Sequence, residues 1–411
     1  MNIEHWAIFI DNRSNISHFI DILLKGHLPE KFKAFKDSKG ALFSKLTVAH
    51  YIEEEERHGT KVLTADTQQS LKSMSSGEQK KALLKHILSS DYDFIVLDNP
   101  FDNLDVDTQA KLKSQLKAKC SEISMLQLVS RQIDVLPFIH NFARLAGDDL
   151  LFNENSDLLR NAQRLIKFEG DIPPPLHPIE FDGDILIDLK KINVSYHGKA
   201  ILKDINWTIM KGDFWELRGK NGSGKTTILS MITGENPKGY GQELYIFGRK
   251  KGSGESVWDI KKKIGYFTPA MTDKFTGYHS VENMMISGLN DSIGLYVKPT
   301  EVQLRTARKW LQLIELWPIK DTLFHDLSMG QKRLLMCARA MIKHPPLLIL
   351  DEPTAGLDDS SAALFVALVN KFAEESQTTI VFVSHRSEPG LEPNHIYQLE
   401  MTNAGSLGRT L

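Results

Sequence analysis

GKNGSGKT occupies residues 219–226, between the strand-like FWEL of 214–217 and the helix-like TTILSMI of 226–232. The octapeptide fits the pattern G-x4-G-K-[ST], in which a glycine-rich turn joins a strand to a helix. Its glycines allow several backbone N–H groups to point at a phosphate, and the helix N-terminus adds a positive dipole. The stretch therefore predicts a phosphate-binding loop.

The chemistry expected of this loop is the binding of ATP with a divalent ion. Lys225 is expected to reach the β- and γ-phosphates, and the Thr226 hydroxyl is expected to bind Mg²⁺. The residues of this segment that we expect to contact the nucleotide are Gly219, Lys220, Asn221, Gly222, Ser223, Gly224, Lys225, Thr226 and Thr227.

A pair of carboxylates follows a second strand-like run, LLIL at 347–350. The carboxyl end of a central strand lies beside such a loop. Asp351 is therefore expected to hold Mg²⁺ through water, and Glu352 to orient or deprotonate the attacking water. His385 ends the next buried run and can hydrogen-bond the γ-phosphate and the water. We predict an ATPase whose catalytic residues are Glu352, His385 and Lys225.

Composition narrows the class of protein. The length of 411 residues suits two domains, and 41% hydrophobic with 25% charged residues is ordinary for a globular chain. The formal net charge of −2 argues against a preference of the whole chain for nucleic acid or anionic membrane. The N-terminus lacks a signal-peptide pattern and no long apolar run predicts a membrane span, so other chains would have to form any channel. Cys120 and Cys337 are expected to be reduced core thiols.

The two halves of the chain repeat each other. At an offset of 209, the segment 6–17 aligns with 215–226, and at an offset of 253, the segment 74–105 aligns with 327–358 without a gap. The first half therefore lacks about 44 residues between its two motif blocks. Both halves alternate buried strand runs with helical stretches. We predict an α/β fold of two tandem P-loop NTPase domains with mainly parallel sheets, the first truncated and degenerate.

The boundary between the halves is predicted at DIPPPLHPIEFDGD, residues 171–184, because three consecutive prolines cannot continue a helix. Just before it, residues 158–168 carry apolar side chains at helical spacing. The predicted organisation is a degenerate nucleotide-binding domain at 1–154, a helix and proline-rich linker at 155–183, and an intact nucleotide-binding domain at 184–411.

Three further motifs resemble those of the ABC ATPase family. LSMGQ at 327–331 resembles its signature, and AGLD at 355–358 resembles its D-loop. Tyr196 precedes Lys225 at the spacing where the family has an aromatic ring that stacks on adenine. Within the family, YIFGRKKGSGESVWDIKKKIGY and SGLNDSIGLY resemble the ModF-type tandem ATPases associated with molybdenum transport. The resemblance implies the binding and hydrolysis of ATP with Mg²⁺.

The first half departs from the motifs that it repeats. Its loop at 10–17 has larger side chains at three glycine positions, and Ile16 replaces the lysine. Asn99 replaces the catalytic glutamate, and Arg131, one position out of the 253 register, replaces the histidine. Because three changes agree, we predict that this half is catalytically inactive.

The first half nevertheless keeps the serine and glycine of its own signature, Ser75 and Gly77. In the family, domains pair head to tail, so each ATP lies between one domain's loop and the other domain's signature. The resemblance implies an intrachain pseudo-dimer with one working composite site, in which Ser75 and Gly77 bind the nucleotide of the second half. A homodimer through the C-terminal halves stays open.

Three functions fit these features. The first is an accessory ABC ATPase that docks on a membrane permease formed by other chains, in the cytoplasm or peripheral to the inner face of the membrane. The second is a non-transport ABC protein that acts on the ribosome or nucleic acid, and the third is a slow regulatory nucleotide switch. The short proline-rich linker and the single intact site favour the first. Thr268, where the family has a glutamine that couples ATP binding to membrane subunits, leaves that coupling open.

Overall fold

The structure, a computed structural model, describes every residue except 1–2, 26–29, 37, 66, 68, 103, 154–166, 180 and 276. It contains two compact units, the first comprising Met1–Arg164 with Gly356–Ser360, and the second comprising Leu165–Ala355 with Ser361–Leu411. The helix expected at 158–168 lies almost wholly outside the described residues. The domain bounds at 154 and 184 stay a prediction.

The first unit is built on one six-stranded sheet. Its strands are β1 (His5–Phe9), β2 (Gly40–Phe43), β3 (Phe94–Asp98), β4 (Ser124–Val129), β5 (Asn141–Ala146) and β6 (Asp149–Asn153). They lie in the order β2-β3-β4-β1-β5-β6, and all neighbours are parallel except β5 and β6. Its helices are α1 (Ile16–Lys25), α2 (Lys45–His58), α3 (Ser76–Leu88) and α4 (Val106–Lys119). β3 is buried except at its final Asp98, and β4 is buried throughout, because both faces of a parallel sheet are covered.

The second unit contains a matching six-stranded sheet. Its strands are β9 (Phe214–Gly219), β12 (Ile264–Phe267), β13 (Leu347–Asp351), β14 (Thr379–Ser384), β15 (His395–Glu400) and β16 (Leu407–Thr410). They lie in the order β12-β13-β14-β9-β15-β16, and all neighbours are parallel except β15 and β16. The predicted α/β fold with mainly parallel sheets is thus confirmed.

A separate antiparallel sheet also belongs to the second unit. It consists of β7 (Ile185–Tyr196), β8 (Lys199–Met210), β10 (Glu243–Ile246) and β11 (Arg249–Lys250), in the order β11-β10-β7-β8. The helices of the unit are α5 (Lys225–Ile232), α6 (Val257–Lys262), α7 (Ala270–Lys274), α8 (Val281–Ser287), α9 (Glu301–Leu313), α10 (Met329–Met341) and α11 (Asp359–Glu375).

The core beneath α5 fixes the phosphate loop between two rigid elements. Leu217 of β9, Val383 of β14 and Ile228 of α5 are each 0% exposed and belong to one buried cluster. Burying an aliphatic side chain of this size contributes about 1.5–3 kcal/mol. The loop at 219–224 is therefore held at both ends by packed secondary structure.

The starting residues of matching elements locate the segments that the first unit lacks. The strands β1 and β9 start at His5 and Phe214, β2 and β12 at Gly40 and Ile264, and α3 and α10 at Ser76 and Met329. The difference in residue number between matching elements therefore increases twice along the chain, so the residues that the first unit lacks are missing at two places. One corresponds to the segment that carries β10, β11 and α6 in the second unit, and the other to the segment that carries α7, α8 and α9.

Candidate nucleotide-binding and hydrolysis site

The phosphate loop has a backbone that two of its glycines make possible. Gly222 and Gly224 have φ values of +80° and +96°, in the region that side chains disfavour. A Cβ on Gly224 would also lie 2.5 Å from Leu202 Cδ2. The residues after Gly224 enter α5 directly, so the loop opens on a helix N-terminus, which favours an anion.

Polar groups converge on the inside of this loop. Lys225 is 6% exposed, and its ammonium donates hydrogen bonds to the carbonyl oxygens of Gly219 at 2.7 Å and Lys220 at 3.3 Å. The hydroxyl of Ser223 is fully buried and has no hydrogen-bond partner among the residues that the structure describes. Lys220, Asn221 and Thr226 are exposed, and Thr227 is half-buried on α5. A buried ammonium and an unsatisfied buried hydroxyl fit a phosphate group, whose oxygens accept hydrogen bonds.

The acid pair lies beside the loop because three parallel strands end together. Asp351 of β13 is opposite Val383 of β14, and Ser384 is opposite Arg218 of β9, the residue before Gly219. Glu352 has a φ of +50°, which is rare for a residue with a side chain and is found at strained functional positions. Its Oε1 lies 3.9 Å from Nζ of Lys225.

The two carboxylates have opposite pKa shifts. Burial raises the pKa of Asp351 to about 6, and the negative charge of Glu352 acts in the same direction. Burial would also raise the pKa of Glu352, but contact with His385 and the charge of Lys225 outweigh it, so this pKa lies below its usual range. Glu352 is therefore ionised at neutral pH, as a proton acceptor must be.

His385 lies where the sequence places it, directly after β14. Its Nδ1 is 3.4 Å from Oε1 of Glu352, an ion-pair distance, and its side chain is 7% exposed. The structure thus brings Lys225, Glu352 and His385 together within one small region. Thr226 and Asp351 offer the hydroxyl and carboxylate oxygens that Mg²⁺ prefers.

Tyr196 is the last residue of β7 and is 37% exposed. Its hydroxyl accepts a hydrogen bond of 2.8 Å from Nδ2 of Asn236, and Nζ of Lys238 lies 5.6 Å from the ring centroid. The ring is thus partly exposed, and its stacking with a base stays a prediction.

Two residues at the carboxyl end of β12 lie near Asp351, which the sequence predicts as a ligand of Mg²⁺. Thr268 follows β12 directly, and β12 is parallel to β13 with Phe267 opposite Leu350. Tyr266, which none of the sequence motifs singles out, donates a hydrogen bond of 3.3 Å from its hydroxyl to Oδ2 of Asp351. Burial raises the pKa of this hydroxyl, so it stays protonated as a donor.

The corresponding loop of the first unit has a different backbone. Arg13 and Asn15, at the positions of Gly222 and Gly224, are not among the residues with positive φ in the described chain. The hydroxyl of Ser14 donates a hydrogen bond of 2.6 Å to the carbonyl of Leu145 and accepts one of 2.9 Å from the N–H of Asp11. The N–H of Arg13 donates to Oδ1 of Asp11 at 2.8 Å, so side chains of the loop bind two of its own N–H groups. Such a loop cannot present the same row of N–H groups to a phosphate.

The strand register corrects one assignment in the first unit. Phe9 is opposite Val129 as Arg218 is opposite Ser384, so Ser130, and not Arg131, occupies the position of His385. The backbone N–H and the hydroxyl of Ser130 both donate to Oδ1 of Asn99, each at 3.0 Å. Asn99 has a φ of +40° and keeps the backbone conformation of Glu352 without its carboxylate.

The two signature serines cap the helices that follow them. Ser75 precedes α3 and forms a capping box with Glu78, whose carboxylate accepts hydrogen bonds from the Ser75 hydroxyl at 2.7 Å and from its N–H at 2.8 Å. Ser328 caps α10 in the same way with the neutral Gln331. Gly77 lies in the first turn of α3, where a Cβ would lie 3.3 Å from Thr108. Ser75 is exposed at the N-terminus of α3, where the carboxylate of Glu78 already complements the helix dipole.

A phosphate loop between a strand and a helix, with an acid pair at the end of the next strand but one in the same sheet, defines a P-loop NTPase site in the second unit. Residues 202–355 match the family described as ABC transporter. Over 340 residues, the chain is 36% identical to the ABC transporter ATP-binding protein ModF of Escherichia coli (strain K12), an overlap of 79% of this chain and 69% of that protein. Over 330 residues, it is 30% identical to an uncharacterised ABC transporter ATP-binding protein of Schizosaccharomyces pombe, covering 78% of this chain and 66% of that protein.

The chain therefore belongs to the ABC transporter ATP-binding proteins, and it is an ATP-binding, ATP-hydrolysing member of that family. Among solved structures, the archaeal ribosome recycling factor aABCE1, in complex with the ribosomal stalk protein aP1, matches with a TM-score of 0.63. That match covers 98% of this chain and 85% of the other at 15% identity, and shows a shared tandem fold.

None of the helices in the described part of the chain has the length and apolar character needed to cross a membrane. Among the described His, Cys, Asp and Glu side chains, none form a group of three or more suited to a metal ion.

Proposed function

We propose that this protein hydrolyses MgATP at one site in its second unit, completed by the signature of its first unit, as the accessory ATPase of a transport system. The observation that carries the proposal is the contrast between the two loops. Gly222 and Gly224 adopt positive φ, whereas Arg13 and Asn15 do not. Only the second unit thus has a backbone suited to cradle phosphates.

The side chains of the second unit have separate roles in this proposal. The buried ammonium of Lys225 binds the β- and γ-phosphates, and Thr226 and Asp351 would hold Mg²⁺, which offsets the negative charge of the phosphates. Glu352 accepts a proton from the attacking water. His385 lies against Glu352 through Nδ1, so its Nε2 is left to bind the γ-phosphate or the water.

The first unit contributes binding rather than chemistry. Asn99 lacks a carboxylate that could take a proton, and Ile16 cannot contact phosphate charge. Ser75 and Gly77 remain at the N-terminus of α3, where a helix dipole can stabilise the γ-phosphate. The proposed domain organisation is the predicted one: a degenerate domain at 1–154, a linker at 155–183, and an active domain at 184–411.

Two matched variants test the composite site. Ser75→Arg and Ser328→Arg place the same bulky cation at the two signatures, and each serine caps its helix in the same way. We expect Ser75→Arg to reduce ATP turnover at least about tenfold and Ser328→Arg to change it little, with equal melting temperatures as the control. If the Ser75 variant stays active while the Ser328 variant is inactive, the site is completed by the C-terminal half of another chain, and the intrachain proposal is wrong.

The transport role rests on the relatives, which are described as ABC transporter ATP-binding proteins. A permease subunit in another chain and a position at the inner face of the membrane follow from that role. The experiment is to isolate the tagged protein from its native host, with and without ATP, and to identify what is bound. A permease supports the proposal. Co-isolation with ribosomes, together with stimulation of the ATPase by them, would overturn it.

A further inference from the structure

Tyr196 lies next to the turn of a β-hairpin. His197 and Gly198, with φ values of +50° and +77°, form the turn between β7 and β8. Because 37% of Tyr196 is exposed, packing against its own hairpin does not fully fix the ring. Its hydroxyl is fixed by a side chain 40 positions further along the chain, Asn236, at 2.8 Å.

Asn236 is itself bound to the helix that carries the phosphate loop. Its N–H donates to the carbonyl of Ser230 at 2.9 Å, and its Nδ2 also donates to the Ser230 hydroxyl at 3.0 Å. Its Oδ1 accepts from the N–H of Lys238 at 3.0 Å. Both hydrogens of the amide group and its oxygen are therefore engaged, which leaves Asn236 one orientation.

We propose that Asn236 is a positioning residue for the nucleobase, which sets the Tyr196 ring at a fixed distance from the phosphate loop. The inference rests on the proposed function, ATP binding at this loop, and on the expectation from the sequence that Tyr196 stacks on adenine. ATP must contact the ring and the loop at the same time, so a link between the two prepares the site for the whole nucleotide. Pre-organisation of this kind raises affinity because less freedom is lost on binding. Inorganic tripolyphosphate, which has no base, gains nothing from it.

The test compares the affinities of ATP and tripolyphosphate, each with Mg²⁺, in the full-length chain by titration calorimetry. The substitution Glu352→Gln is present throughout to prevent hydrolysis. We expect Asn236→Ala to weaken ATP binding about 3- to 10-fold, the effect of one lost hydrogen bond, and to leave tripolyphosphate within about twofold. Tyr196→Phe, which removes only the other partner, should weaken ATP to a similar extent. The double variant should be no weaker than Asn236→Ala alone.

A matched control lies in the same strand. Asn193 of β7 hydrogen-bonds the carbonyl of Lys191 and the carboxylate of Asp204, and not Tyr196. Asn193→Ala loosens the hairpin without touching the proposed link, so its ratio of ATP to tripolyphosphate affinity should match the parent. An equal loss for both ligands in Asn236→Ala, or the same loss of selectivity in Asn193→Ala, would overturn the inference.

The failure of the inference can be told from the failure of the proposed function. If Tyr196→Ala leaves ATP affinity unchanged, the ring does not stack on adenine and the inference is wrong, whereas the proposed function stands. If the Glu352→Gln parent binds no MgATP at all, the proposed function itself is wrong. If Tyr196→Ala weakens ATP while Asn236→Ala and Tyr196→Phe do not, the ring binds the base without help from Asn236, and the inference alone is wrong.

Discussion

Alanine at Gly224 should weaken ATP binding far more than alanine at Gly222, although both glycines have positive φ. A left-handed conformation costs an L-residue about 1–2 kcal/mol, which is about 5- to 30-fold in affinity if the loop keeps its shape. A Cβ on Gly222 would have no atom within 4 Å, whereas one on Gly224 would lie 2.5 Å from Leu202 Cδ2. Overpacking adds about 1–3 kcal/mol, so Gly224→Ala should be weaker by a further factor of about ten.

The assay is the dissociation constant for MgATP, with melting temperatures as a check on folding. Leu202 is 1% exposed, and Leu202→Val shortens the side chain that meets the added Cβ. In the Gly224→Ala background, this second change should recover most of the extra tenfold loss, whereas in Gly222→Ala it should recover nothing. The reasoning is refuted if the two alanine variants bind ATP equally, or if Leu202→Val gives no recovery.

Three further predictions concern single side chains. Glu352→Gln should retain ATP binding and lower turnover by about 10²- to 10⁴-fold, since an amide cannot take a proton; turnover at the parental rate in a phosphate-release assay would contradict the assignment. Lys225→Ala should weaken MgATP at least about tenfold by loss of a charged contact, measured by equilibrium binding. Burial lowers the pKa of His344, whose Nε2 lies 2.7 Å from the carbonyl oxygen of Pro173. The folded protein should therefore lose stability as the pH falls below about 6.5, the pKa of histidine in the unfolded chain, and through the lower pKa of His344 in the folded chain. Below pH 6.5, the melting temperature of His344→Asn should therefore decrease less steeply with pH than that of the parent. Parallel plots of melting temperature against pH for the two proteins would count against this role of His344.

The fold of the second unit could be predicted because its decisive signals are local. The strand β9, the loop and α5 are contiguous, and glycines at two positions report backbone conformations that few other residues adopt. The repeat was equally accessible, because the segment 74–105 aligns with 327–358 without a gap. The helices that begin in these segments, α3 and α10, are both 13 residues long.

The position of Ser130 could not be predicted from a fixed offset. The helix before β4 has 14 residues, whereas the helix before β14 has 17 residues, so the offset changes between the acid position and the histidine position. Only the pairing of strands with their neighbours restores the register. No local sequence motif indicates that the helix is three residues shorter.

The contacts of Tyr266 and Asn236 were beyond the sequence for another reason. The hydrogen bond from Tyr266 to Asp351 joins residues 85 apart, and that from Asn236 to Tyr196 joins residues 40 apart. Each of these hydrogen bonds depends on which elements the fold brings together. A tyrosine in a strand also gives no signal of its own, because most such residues only pack against their neighbours. The alternation of β12 indicates which face Tyr266 occupies but not what its hydroxyl meets.

The number of MgATP molecules bound per chain tests the central claim most directly. It should be measured by titration calorimetry on the Glu352→Gln variant, in which we expect turnover to be strongly reduced, and on the same variant with Lys225→Ala. We predict one tight site per chain in the first protein and none in the second at the same ligand concentrations. Two sites of equal affinity per chain, with one surviving Lys225→Ala, would show that the first unit also binds ATP and would contradict the single-site account.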